Sequence, residues 1–369
     1  MGSKRQMIEW KTLKAIILAA GPGKRLRPLT HTGPKHLLPV AGKPVIQYAI
    51  NALRNAGIQN IGVVVGYMKE HIIDYLQDGS DFNAKITYIE QAKQKGIAHA
   101  IRCAKDYVAD EPFLAYLGDN LIRDDLKAYI GNFSKRQADA MILLAKIPDP
   151  ERFGVAVVKE NKIVRLVEKP KQHISDLALV GVYFLRPIIF EAIDSITPSW
   201  RGELEITDAI QYLIEKGHRV DYRIISGWWA DSGRPEDLIE VNYLVLDELQ
   251  SEIKGTVEKG ASLYGRIHIG ENTVIRSGTQ IRGPVYIGKK CEIKPNTYVG
   301  PYTSIEDDVI IKGGEIENSM VFSGCHIEIE GESRIVSSII GSNSVVTQQK
   351  QIKPKGIKIV VGENARITL

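Results

Sequence analysis

Cysteine is scarce in this 369-residue chain: Cys103, Cys291 and Cys325 are the full set. They show no paired spacing, which excludes a disulfide framework or structural zinc and suits a reducing, cytoplasmic setting. Charge of one sign is not in excess either. Lys and Arg number 48 against 44 Asp and Glu, a net +4 that makes no case for a nucleic-acid or membrane surface. No apolar run approaches the ~18 residues that would span a bilayer. The polar stretch Met1–Lys14 lacks the apolar core of a signal peptide. His31, His36, His71, His99, His173, His218, His268 and His326 form no metal-ligand spacing, and no Gly-x-Ser-x-Gly elbow occurs. Two phosphate motifs are missing as well. Gly42-Lys43 is followed by Pro44 where a P-loop needs Ser or Thr, and Leu26 stands where a dinucleotide fingerprint needs its third glycine.

What is present begins at Leu13–Thr30. An apolar strand ending at Ala19-Ala20 runs into Gly21-Pro22-Gly23-Lys24-Arg25-Leu26-Arg27-Pro28. Glycines after a strand bare backbone N–H groups at the carboxyl edge of a sheet, and cations crowd the same turn, a combination suited to a polyphosphate. An ordinary turn with solvated charges has the same composition, so the loop alone does not decide the matter.

Up to about Ile253 the chain alternates strand-like and helix-like segments. Strands are predicted at Lys14–Ala19, Ile61–Val65, Ile86–Glu90, Phe113–Leu117, Ala140–Ile147, Val155–Val158, Ile163–Val167, Val180–Leu185 and Val220–Ile225. Helices are predicted at Pro44–Ala56, Lys69–Leu76, Ile97–Tyr107, Thr207–Lys216 and Pro235–Ile253. Such alternation predicts a mostly parallel sheet with helices on both faces. Beyond it the period becomes six: Val257, Leu263, Ile269, Ile275, Ile281, Ile287, Ile293, Val299, Ile305 and Ile311 keep one register, with small or β-branched residues four places later. One inward aliphatic per six residues describes short strands winding as a β-helix, each coil burying its neighbour. After Ile311 the register slips and Glu317 and Glu328 break it, which predicts irregular coils from Gly313 onward and a terminal cap.

Phe113–Leu117 ends in Gly118-Asp119-Asn120, and Val220–Ile225 leads to Gly227-Trp228-Trp229-Ala230-Asp231. Two strand-end carboxylates are what Mg²⁺ takes from a protein when phosphates complete its shell, although a lone strand-end Asp as readily caps a turn. Arg25, Lys35, Lys169 and Arg201 are further loop cations. With no nucleophile or general base in evidence, phosphoryl chemistry remains open to a substrate that arrives ionised, as a sugar phosphate does near pH 7.

The segments LAAGPGKRLRPLT, GPKHLLPVAGKP, QAKQKGIAHAI, LGDN, RFGVAVV, VEKP, DLALVGVYFL, RGELEITD and WWADSGRPEDL follow one another between Leu18 and Leu238. In that order they resemble the sugar-1-phosphate nucleotidyltransferases, and among them the long-form glucose-1-phosphate thymidylyltransferases. The resemblance implies a Rossmann-like α/β catalytic domain over 12–252, with a mixed, mostly parallel sheet, followed by a left-handed parallel β-helix of hexapeptide repeats over 253–369. It implies Mg²⁺ on Asp119 and Asp231. Arg25 and Lys35 would grip the triphosphate beside Gly21 and Gly23, and Leu18, Ala20, Gln91 and Gly96 would line the base. Gly154, Glu168 and Val180 would surround the sugar, with Lys169 and Arg201 on its phosphate. Lys24 departs from the pattern, since the family usually carries Thr or Ser there.

The expected activity is transfer of a nucleotidyl group from dTTP to a sugar 1-phosphate by a cytoplasmic homo-oligomer, with no nucleic-acid or membrane partner. A Gln91 amide both donates and accepts, which complements the N3–H and carbonyls of thymine or uracil. Three alternatives stay open: a UTP-dependent enzyme acting on glucose or N-acetylglucosamine 1-phosphate, an added acetyltransferase in the β-helix with His268 or His326 as base, and a non-catalytic regulatory subunit.

Overall fold

The computed structural model describes residues 13–329, 333–348 and 359–368. The stretch 1–12, where a signal peptide was sought, and residues 349–358 of the expected terminal cap lie outside the described residues. The chain packs as two compact units, one made of the segment up to Pro22 with Ile46–Trp229, the other of Gly23–Val45 with Ala230 onward.

In the first unit the predicted alternation becomes a nine-stranded sheet. Its strands are β1 (Lys14–Ala19), β2 (Asn60–Val65), β3 (Lys85–Glu90), β4 (Phe113–Leu117), β5 (Ala140–Lys146), β6 (Gly154–Lys159), β7 (Lys162–Glu168), β8 (Leu177–Leu185) and β9 (Val220–Ile224). β3, β2, β1 and β4 are parallel neighbours. β8 then runs antiparallel between β4 and β5, and β9 pairs in parallel with β5. The hairpin β6–β7 joins through Ala178 of β8 opposite Val155. Since β1, β4 and β9 run the same way, Gly21, Asp119 and Ser226 all follow strand ends on one edge of the sheet.

Central strands bury both faces, so β1, β2 and β5 read as nearly unbroken apolar runs rather than alternating ones. Ile16, Phe113, Ile142, Leu144 and Tyr183 share one core with Phe190, Ile193, Ile206, Ile210 and Leu213 from helices Ile188–Ser195 and Ile206–Glu215. Phe113 stacks on Phe190 at 5.7 Å. The expected helix Ile97–Tyr107 is two, Ile97–Cys103 and Lys105–Val108, meeting at Ala104.

In the second unit, short strands form three wholly parallel sheets of seven, seven and five strands, and as far as Thr347 each sheet takes every third strand along the chain. Ile269, Ile275, Ile281, Ile287, Ile293, Val299, Ile305 and Ile311 are buried, with Val257 and Leu263 packed at the open end. The small inward positions are buried too, and their hydroxyls bond across coils: Thr273 Oγ1 donates to the Gly288 carbonyl at 2.6 Å and accepts from the Cys291 N–H at 2.9 Å. Corner residues stack in left-handed backbone conformation, Asn272 above Lys290 above Asp308, where Asn and Asp tolerate a positive φ best.

Coils do not end at Ile311. Ile316 pairs with Val299 and Val321 with Ile305, because two successive steps shorten to five residues. Glu317 and Glu328 do not interrupt the ladders. They sit at outward positions and form ion pairs with Arg334 and Lys312. The helix predicted to reach Ile253 stops at Asp247, and Glu252–Ile253 already pairs with His268–Ile269 as the first rung. Packing also draws Gly23–Val45 and Ala230–Asp247 to the coils, a division different from the change of period at 252/253. The physical reason is tertiary: helix Pro235–Asp247 packs on Pro39–Val40 and on Thr303–Ile305, and Asn242 Nδ2 donates to the Tyr302 carbonyl at 3.1 Å.

A central inward aliphatic should carry much of the coil stability. Ile293→Ala is expected to cost about 2–5 kcal/mol in urea unfolding, whereas a loss below about 1 kcal/mol would contradict the inward column as the core of this unit.

Candidate active site

Around the strand ends of the first unit, backbone hydrogen bonding sets the positions. The Leu18 carbonyl accepts the Gly118 N–H at 2.9 Å, which ties the end of β1 to the turn before Asp119. Leu18 and Ala20 are nearly buried, and the Ala20 carbonyl accepts Gln94 Nε2 at 3.2 Å. Gln91 follows β3 on the same edge and is 4% exposed. Its Nε2 donates to the Gly96 carbonyl at 3.3 Å and meets His99 Nδ1 at 2.9 Å. Burial lowers the His99 pKa, which favours the neutral ring with an acceptor nitrogen. Both amide hydrogens are thereby directed inward, so the Gln91 side chain offers a ligand its Oε1, an acceptor, rather than the donor and acceptor together. Gly96 opens helix Ile97–Cys103 at φ +99°, and a Cβ there would fall 2.5 Å from the Leu204 carbonyl oxygen. That position needs glycine on both counts.

Asp119 is fixed by its neighbour. Asn120 Nδ2 donates to Asp119 Oδ1 at 3.0 Å, while Asn120 Oδ1 accepts the Gly181 N–H at 3.2 Å and Trp229 Nε1 at 2.7 Å. Asn120 is 3% exposed, so this amide joins three chain segments in a buried setting where each bond is costly to lose. Val180 is fully buried beside it, in the stretch where the β8–β5 register shifts. Its side chain is core, which leaves its backbone as the part a sugar could meet. Asp124 accepts from Ser226 N–H at 2.8 Å, from the Ser226 hydroxyl at 3.0 Å, and from Gly227 N–H and the Tyr129 hydroxyl, fixing the turn that leads to Trp229.

A second cluster gathers Gly154, Glu168, Lys169 and Arg201. Arg201 Nη1 lies 3.4 Å from Glu168 Oε1 and 3.2 Å from Glu205 Oε1, and Nη2 lies 3.0 Å from Glu203. Lys169 Nζ is 3.8 Å from Glu168. Thr207 Oγ1 donates to Glu168 Oε2 at 3.3 Å, and Ser199 Oγ to Glu205 Oε1 at 2.8 Å. Burial pushes the Glu168 and Glu205 carboxyls up, while Arg201 pulls both down. Gly154 backs onto Glu168 and Thr207.

In the second unit, Gly23 (φ +61°) opens a short 3-10 turn over Lys24–Leu26. Thr30 Oγ1 donates to the Gly23 carbonyl at 2.9 Å, and a Cβ on Gly23 would meet Lys35 Cβ at 3.0 Å. Arg25 and Asp231 come together above Gly233, where a Cβ would fall 3.4 Å from Arg25 Nη2 and 2.9 Å from Asp231 Oδ2. Lys24 is exposed. Of the histidines weighed as bases, His268 stacks on Tyr286 at 4.9 Å with Nδ1 3.6 Å from Glu252, and His326 lies exposed on His326–Glu328. Among the described residues no three His, Cys, Asp or Glu side chains converge as a metal site.

In the first unit Gln91 meets Gly96, and Gly154, Lys169 and Arg201 gather at Glu168; in the second, Gly23 meets Lys35, and Arg25 and Asp231 meet at Gly233. Sequence reasoning passed over Asn120, Asp124, Glu205 and Thr207. Asn120 and Glu205 stand inside the quoted LGDN and RGELEITD strings, but nothing in a string says that a side chain is buried.

These features define a Rossmann-like α/β protein that gathers loop cations and buried carboxylates beside a mixed sheet. A family model described as nucleotidyl transferase matches residues 14–248, and one described as the GMPPB C-terminal domain matches 281–368. The low-salt glycan biosynthesis nucleotidyltransferase Agl11 of Haloferax volcanii is 44% identical over 97% of this chain and 100% of its own. A glucose-1-phosphate thymidylyltransferase of Streptomyces griseus is 41% identical over 96% of this chain and 99% of its own. A crystal structure described as a glucose-1-phosphate thymidylyltransferase of Bacillus anthracis, in complex with sucrose, superposes with a TM-score of 0.61 at 38% identity, covering 65% of this chain and 98% of that one. The chain belongs to the nucleotidyl transferase family and is an enzyme of that class.

Arg201 is expected to matter most at high pH. Glu168 and Glu205 keep protons in the folded chain at pH values where the unfolded chain has released them, so their contribution is full below about pH 4.5 and falls as pH rises through their folded values. Arg201→Met removes the cation that opposes this rise. Its stability deficit against the parent should widen from pH 5 to pH 8, to on the order of 2 kcal/mol. A deficit independent of pH would contradict the shared guanidinium.

Proposed function

We propose that this enzyme transfers a thymidylyl group from dTTP to a sugar 1-phosphate, glucose 1-phosphate above others, releasing pyrophosphate. The observation that carries the reading is the near full-length identity to the Streptomyces griseus thymidylyltransferase. The donor set of the site agrees with it. Gln91 Oε1 accepts from the N3–H of thymine, a hydrogen that cytosine lacks.

Two polyanions must be brought together, so the barrier is largely one of repulsion and alignment. Arg25 and Lys35, with the backbone N–H groups of Gly21 and Gly23, hold the triphosphate. Lys169 and Arg201 hold the sugar phosphate, and Glu168 accepts from sugar hydroxyls beside Gly154 and Val180. The phosphate enters ionised and attacks the α-phosphorus in line, opposite the departing pyrophosphate, so no side chain need take a proton. Asp119 and Asp231 are hard oxygen donors that fit Mg²⁺, and phosphate oxygens would fill out a shell the protein alone does not complete. When bound, the ion supplies charge neutralisation at the α-phosphate.

The reading takes 12–252 as the catalytic domain and 253–369 as a left-handed β-helix that serves homo-oligomer assembly in the cytoplasm. Asp119→Asn and Asp231→Asn should each lower pyrophosphate release from dTTP and glucose 1-phosphate by about 100-fold or more, with unchanged melting. Parent-like turnover in either variant would remove that carboxylate from the metal site.

A further inference from the structure

Glu306 is a carboxylate that the reaction above leaves unused, and it is 6% exposed. It follows strand Thr303–Ile305 of the coils, and its Oε1 accepts the Gly42 N–H at 3.0 Å. Gly42 closes a two-residue turn between Pro39–Val40 and Lys43–Pro44, which pair Pro39 with Pro44 and Val40 with Lys43. Ala41 (φ +44°) and Gly42 (φ +83°) both lie in the left-handed region, a geometry that the short hairpin requires and that alanine adopts at a cost. Gly42 also lies close against Tyr286, whose Cζ would be 2.2 Å from a Cβ placed there. Tyr286 is backed in turn by His268.

The same segment touches the coils again at its other end. Gly362 lies against Pro28, close enough that a Cβ would be 3.0 Å from the Pro28 carbonyl oxygen. Lys35 lies on the stretch between these two contacts, and Arg25 stands before Pro28 on the turn opened by Gly23, which abuts Lys35. Little slack separates Lys35 from the hairpin: the Leu38 N–H bonds to the Lys35 carbonyl at 3.1 Å, and the Val45 N–H to the Leu38 carbonyl at 3.1 Å. Helix Pro235–Asp247 packs on both the hairpin and Thr303–Ile305.

We propose that Glu306 is a positioning residue for nucleotidyl transfer, a carboxylate of the coils that caps the Gly42 turn and so sets the place of Arg25 and Lys35. The proposal rests on the functional reading above and extends it to the second half of the chain. A buried carboxylate costs stability that an apolar side chain would not, and here it satisfies a turn N–H that would otherwise be left without a partner. Burial pushes the Glu306 carboxyl up to about 7, with Asp307 adding to the rise and the Gly42 N–H opposing it. The titratable groups beside it are Asp307, Tyr286 and Cys291 on the coils, and Lys43 of the hairpin acts on His268 behind Tyr286. An ionised acceptor binds the N–H more tightly than a neutral one, so the cap tightens as pH rises through 7.

Two variants separate geometry from charge. Glu306→Leu removes the acceptor and is expected to raise the triphosphate KM about 10-fold while the sugar 1-phosphate KM stays within about 2-fold. Glu306→Gln keeps an acceptor oxygen, and its triphosphate KM should stay within about 3-fold of the parent above pH 7. The parent-to-Gln ratio of kcat/KM for the triphosphate should rise with pH near 7. Amide exchange, which needs no turnover, should be about 10-fold faster at Gly42 in Glu306→Leu, with Ile281 and Ile293 amides unchanged. Parent-like triphosphate KM or parent-like Gly42 exchange in Glu306→Leu would overturn the proposal. If that variant does not fold, Gly42 exchange against pH decides: a change near pH 7 in the parent that is absent in Glu306→Gln supports the cap, and identical profiles overturn it. A parent inert toward dTTP would overturn the functional reading instead, with the exchange result still standing on its own.

Discussion

Parallel pairing along Lys14–Ala19 is the constraint on which the first unit depends. Because Asn60–Val65 and Phe113–Leu117 both run parallel to it, with Lys85–Glu90 beyond, the segments after Ala20, Glu90 and Leu117 emerge on one edge. Parallel strands bury both faces, so their polar groups can appear only where the strands stop. The Gly21 turn and Asp119 therefore follow adjacent strands, and Gln91 lies two strands further along the same edge, although all are far apart in the chain.

Charge inside the protein follows a related logic. Arg201 serves three carboxylates at once, and two of them, Glu168 and Glu205, are pushed up by burial. Such a cluster holds the guanidinium in place through several partners rather than one, which keeps the cation oriented. Asn120 does the same for Asp119 with a neutral amide, and Asp124 for the turn before Trp229. In each case a buried or half-buried polar group fixes a loop that apolar packing could not aim.

Much of this was legible in the residues themselves. The column from Ile269 to Ile311 is readable because a coil presents one inward aliphatic every six residues. After Ile311 the register slips, as the residues predict, because the next steps, to Ile316 and Val321, are five residues long while the hydrogen bonds keep the ladders. The strand-end acids and loop cations were legible from where the strands stop and the loops carry charge. Asn120 was not, since its partners Gly181 and Trp229 stand 61 and 109 residues away. Nor was the engagement of Gln91 Nε2 with Gly96 and His99, which changes what that amide can offer a base. The attachment of Gly23–Val45 to the coils rests on Gly42, Tyr286 and Glu306, contacts that no local pattern announces.

The central claim is that two anionic reactants exchange a nucleotidyl group on this chain. Phosphorus NMR of the protein with dTTP, glucose 1-phosphate and Mg²⁺ tests it most directly. The account predicts that the sugar-phosphate and triphosphate resonances decay together while a diphosphate diester and pyrophosphate grow in equal amount. Hydrolysis of dTTP with the sugar phosphate untouched, or no change at all, would contradict it.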